Sequence, residues 1–126
     1  RSNGGLMGFV DDFTDCITGK NLPPDLANSL PDAKTALAFA SKLIQGATVA
    51  DALVAIGIST EVAEAIAEAV AAITVGAIIG AVVGCAVNAA GSSLRDVLLS
   101  MDGSDTSALQ GALADAGFNA SDTAAA

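Results

Sequence analysis

Cys16 and Cys85 are the two side chains of this chain able to form a covalent link, and its densest groups of ionisable residues are Asp11, Asp12 and Asp15, then Glu61, Glu64 and Glu68. Two cysteines 69 residues apart read as one disulfide in a small secreted chain and as two buried thiols in a cytosolic one. We adopt the disulfide, which places the chain in an extracellular compartment. Closing a loop of that size would stabilise the fold by roughly 4 kcal/mol in the chain-entropy account. The carboxylates stand at helical spacing and lack the Gly-kinked run of oxygen ligands that a calcium loop needs, so they read as solvated faces. Like charges at that spacing repel at neutral pH and relax on protonation. These six residues are therefore the expected acid-sensitive positions, with acid favouring compaction or association.

Absent residues narrow the chemistry further. Without a single His among 126 residues, neither a Ser/His/Asp nor a Cys/His nucleophile can be assembled, and two cysteines are too few for a thiolate-only zinc site. No enzymatic activity, metal or cofactor is expected. The formal charge of −9, against the five cations Arg1, Lys20, Lys34, Lys42 and Arg95, opposes binding to nucleic acid or to anionic bilayers, where each phosphate contact needs a cation. Arg1 stands where an initiating Met would, so a processed form or a fragment is expected. Asn119-Ala120-Ser121 is a glycosylation sequon.

These residues must be held by helices. Hydrophobic residues make up 52% of the chain but aromatics only 3%, so Ala, Val, Leu and Ile must build the core, and small side chains suit closely packed helices. Leu6, Phe9, Val10, Phe13 and Ile17 recur at steps of three and four, predicting a first helix over 6–18 with Gly19 as its C-cap. Pro23 and Pro24 open a short helical turn to residue 30, and Pro31 with Asp32 starts the next helix, capped by Ser29 or Leu30. Its apolar stripe is Ala33, Ala36, Leu37, Ala40, Leu43 and Ile44; Lys34, Ser41 and Lys42 fall outside it, and Gly46 ends it. Thr48 with Asp51 caps a helix over 49–56 that stops at Gly57.

Ser59 caps the dominant element, a helix over 60–90 of about 46 Å if unbroken. Its charges are Glu61, Glu64 and Glu68 in the first turns, and residues 69–94 carry none. Ala72, Gly76, Gly80, Gly84 and Asn88 recur every fourth residue, a glycine zipper. Glycine in a helix costs about 1 kcal/mol relative to Ala, which a closely approaching neighbour would offset. These five are the expected helix-packing positions, in the bundle or across a dimer, and Gly80→Leu is the expected most damaging change. Ser92 or Ser93 caps a fifth helix with Leu94, Val97, Leu98 and Met101, and Ser104 or Asp105 caps a last one with Leu109, Ala112, Leu113 and Ala116, ended by Gly117. The fold class is all-α: one domain over 1–126, five to six helices bundled around the long apolar helix, with termini 1–4 and 120–126 frayed.

Residues 103–121, GSDTSALQGALADAGFNAS, resemble the helical repetitive domains of aciniform spider-silk proteins, in which similar Ser-Asp-Thr-Ser-Ala openings precede Ala- and Leu-rich helices. The composition is also similar to that of non-repetitive spidroin domains, acidic or neutral bundles of five or six helices. The resemblance implies self-assembly in an extracellular material.

Three functions compete. The first is a secreted, non-enzymatic domain acting by self-association, as a homodimer or larger assembly. The second is a membrane-inserting or pore-forming protein using the glycine-zipper helix, since 26 uncharged residues exceed the roughly 20 needed to span a bilayer. The third is a carrier of a small apolar ligand. Against insertion, the flanks carry acids rather than a cationic cluster, and no Trp or Tyr can form an interfacial belt, so association is the adopted reading.

Overall fold

Four of the described helices begin where a short polar side chain accepts a backbone N–H. In the computed structural model, which describes residues 6–117, Thr48 Oγ1 accepts from Asp51 N at 3.1 Å, Ser59 Oγ from Val62 N at 3.4 Å, Thr74 Oγ1 from Ala77 N at 3.2 Å and Asp32 Oδ1 from Thr35 N at 2.8 Å. Each cap satisfies an N–H that the helix leaves orphaned and is worth about 1 kcal/mol. The elements are α1 (Leu6–Gly19), α2 (Pro24–Asn28), α3 (Ala33–Ile44), α4 (Val49–Ala55), α5 (Thr60–Ala69), α6 (Val75–Ala90), a 3-10 turn at Gly91–Ser93, α7 (Leu94–Leu99) and α8 (Gly103–Asp115). The described residues are 76% helical and contain no strand, so the all-α bundle stands. The termini expected to fray, and the sequon at Asn119, lie outside the described residues.

The helix expected over 60–90 is two helices. Val70 takes φ −107°, ψ 11° at the end of α5, Ile73 N–H donates to Val70 O at 2.9 Å, and extended Thr74 (φ −67°, ψ 150°) starts α6. Ile73, Thr74 and Val75 are β-branched, which weakens a helix locally, and Thr74 offers a competing cap. The turn lets Val70 bury its side chain while α5 packs on α4, and frees α6 to pack against α1, α3 and α8.

Other boundaries shift for local reasons. Gly19 is the last residue of α1 instead of its cap; Asn21 (φ 66°) makes the left-handed step, and Leu22 N–H closes the end on Ile17 O at 3.2 Å. Asp32, with its side-chain acceptor, displaces Ser29 and Leu30 as the cap of α3. Gly91 (φ 55°, ψ −127°) breaks the path at the end of α6, while Ser93 keeps helical backbone and its hydroxyl donates to Ala90 O at 2.8 Å, so the 3-10 turn runs into α7 without a fresh cap. Asp102, not Ser104 or Asp105, occupies the N-cap of α8.

The core is built on α3 and α6. On α3, Ala33, Ala36, Leu37, Phe39, Ala40 and Leu43 are buried together with Ser41, which the sequence reading left outside the stripe. Phe9, Phe13 and Ile17 of α1 bury alongside, the two rings stacked with centroids 5.2 Å apart. Cys16 and Cys85 are joined, tying α1 to α6 with Cα atoms 5.6 Å apart.

Candidate helix-docking face

α6 buries only one side of itself. Ile78, Val82, Val83, Cys85 and Ala86 face the core, whereas Val75, Gly76, Ala77 and Gly80 are exposed and Ile79, Ala81 and Gly84 half-buried. A Cβ built at Gly76, Gly80 or Gly84 meets nothing within 4 Å. The glycine stripe therefore forms no close helix contact inside the chain, which corrects that part of the expectation and removes the reason for ranking Gly80→Leu as the most damaging change. Of the other two positions on the line, Ala72 lies in the exposed turn before α6, and Asn88 is exposed near its end.

Two open grooves flank this face, each of about 320 Å³. One lies between α6 and the α1–α2 junction, where Leu22 and Lys20 meet Ile73, Ala77 and Ala81; the other lies between α6 and the end of α8, where Ala112, Asp115 and Ala116 meet Ile79 and Gly84. Gly80 borders both. The helical path Val75–Leu99 is 25 residues long and apolar enough to cross a bilayer by length and composition, with 28% of its most apolar window buried.

None of the six clustered carboxylates lines either groove. Asp11 and Asp15 are exposed and Asp12 half-buried on α1, and Glu61, Glu64 and Glu68 are exposed on α5. Among the described residues no group of three or more His, Cys, Asp or Glu side chains could hold a metal ion.

A polar cluster that the sequence reading missed locks α8 to α3. Asp105 is 9% exposed, and its Oδ1 accepts from Ser41 Oγ at 2.9 Å and from Gln45 Nε2 at 3.2 Å, with Lys42 Nζ at 3.6 Å. Ser41, Lys42 and Gln45 share one end of α3, a donor set visible in the sequence, but their acceptor lies about sixty residues on and only packing pairs them. Hydrogen bonds to a charged group are worth about 1.5–3 kcal/mol, and here two donors keep a second acceptor, Ser41 Oγ with Ala38 O at 2.9 Å and Gln45 Nε2 with Ser41 O at 3.1 Å, which sets the loss in the lower part of that range. Asp105→Ala should therefore lower the unfolding free energy by about 2 kcal/mol and loosen α8, and Asp105→Asn by less, as an amide oxygen still accepts. Urea melts of the two variants check the order; equal losses would mean that the pocket reads shape and not acceptor strength.

Comparison with known protein families, with curated proteins and with solved structures returned no match, so the function rests on the geometry of the chain itself.

Proposed function

We propose that this chain is a secreted, non-enzymatic helical domain that works by self-association, the exposed side of α6 being the contact between copies. The observation that carries the reading is an uncharged 16-residue helix whose Gly76, Ala77 and Gly80 edge lies open to solvent. Contiguous apolar surface has a standing drive to be covered, and glycines let a second backbone come close. Copies bearing −9 each repel at long range, which favours contact through α6, whose own residues carry no charge. The Cys16–Cys85 disulfide fits an oxidising, extracellular setting, and the silk-like resemblance implies a structural material as its biological form.

Gly80 separates folding from association. Because its Cβ position is open, Gly80→Ala and Gly80→Leu should raise the stability of the single chain by up to about 1 kcal/mol through helix propensity. The Leu side chain should at the same time hold two copies apart and weaken association tenfold or more, as overpacking by about 1–3 kcal/mol implies. Sedimentation equilibrium and thermal melts on the same samples read both effects. A parent chain that stays monomeric at every concentration would reject the proposal.

A second reading, insertion of the Val75–Leu99 path into lipid, draws on its length and low burial. Dye release from vesicles at neutral pH would favour it over self-association.

A further inference from the structure

The two grooves beside α6 end in opposite charges: the exposed Lys20 lines one and the exposed Asp115 the other. They lie on opposite sides of the helix. Ala81 sits about 100° around α6 from Gly80 in one direction and Ile79 about 100° in the other, and each belongs to a different groove. The grooves also overlap along the axis, since the α6-side residues of one run from Ile73 to Ala81 and those of the other from Gly76 to Gly84. Asp115 is the last residue of α8, where the carbonyl end of a helix adds partial negative charge to its carboxylate.

Resting on the self-association reading, we infer that the occupant of this face is a second copy related by a two-fold axis running parallel to α6, with Lys20 of each copy paired to Asp115 of the other. Symmetry and charge select that axis. A face-to-face dimer with its two-fold along α6 exchanges the left and right grooves, so each copy's cationic groove lies over its partner's anionic one, twice per dimer. A two-fold perpendicular to α6 in the contact plane keeps left over left and right over right, and would set Lys20 against Lys20 and Asp115 against Asp115. Like-charge juxtaposition disfavours that arrangement. In the selected dimer the glycine edges of both α6 helices run side by side in the same direction, Gly80 near Gly80, between the two ion pairs.

The test uses the full oxidised chain and two single variants, Lys20→Glu and Asp115→Lys, both at exposed positions, with circular dichroism confirming that each is folded. Each variant alone turns both pairs repulsive, and its dimer Kd should rise about tenfold or more by sedimentation equilibrium. Mixed one to one, the variants form a heterodimer in which the two introduced charges, opposite in sign, face each other and the remaining Lys20–Asp115 pair is intact. The mixture should therefore return to within about threefold of the parent. Kd values indifferent to either reversal, or a mixture as weak as its components, overturn the paired two-fold while leaving self-association standing. A parent chain monomeric at all concentrations overturns the self-association reading and this inference with it.

Discussion

Replacing both cysteines, Cys16→Ala with Cys85→Ala, should lower the melting temperature by roughly 15 °C. The bridge closes a 69-residue separation between α1 and the interior of α6. In the chain-entropy account a loop of that size removes about 4 kcal/mol of denatured-state freedom, and for a chain of this length each kcal/mol shifts the midpoint by roughly 4 °C. The native contacts around it largely survive the change, since Phe9, Phe13 and Ile17 still bury against the core. The variant should therefore remain helical at room temperature while melting early. Far-UV circular dichroism during a thermal ramp measures it, and a shift below about 3 °C would mean that packing alone holds α1 in place.

Phe39→Ala should cost about 3–5 kcal/mol, the range for emptying a buried aromatic site. Phe39 is fully buried on α3, the helix packed against α4, α6, α7 and α8, so its loss opens space where several elements meet. The chain has few large side chains with which to fill that space: of its four Phe residues, Phe9 and Phe13 are already committed to α1. Phe39→Leu, which retains most of the volume, should lose far less. Urea unfolding of both variants gives the comparison, and a loss under about 2 kcal/mol for the Ala variant would show that neighbouring helices collapse into the site.

Features that depend on a few adjacent residues were legible in the sequence. Thr48 with Asp51 and Ser59 cap their helices as read, because an N-cap needs only one side-chain oxygen and the N–H three residues on. Gly46 and Gly57 end α3 and α4 with φ of 106° and 102°, the left-handed step that glycine takes without strain. The Cys16–Cys85 pairing was also legible, since two cysteines leave a single intrachain bridge.

What tertiary structure alone decided concerns direction and distance. Residues 60–90 hold a continuous apolar pattern in which the β-branched Ile73–Val75 and the Thr74 cap mark a weak point, but that the chain turns there shows only once Val70 is buried and α6 lies on α1 and α3. Asp105 could have been a cap by its local sequence; it is a buried acceptor because α8 docks where Ser41 and Gln45 present their donors. The glycine stripe is the sharpest case. Its four-residue spacing established that Gly76, Gly80 and Gly84 share one edge of a helix, but a helix apolar all round gives no local signal of which edge faces inward. That was decided by the larger side chains opposite, Ile78 and Val82, which bury more area per residue against the core and leave the glycine edge turned to solvent.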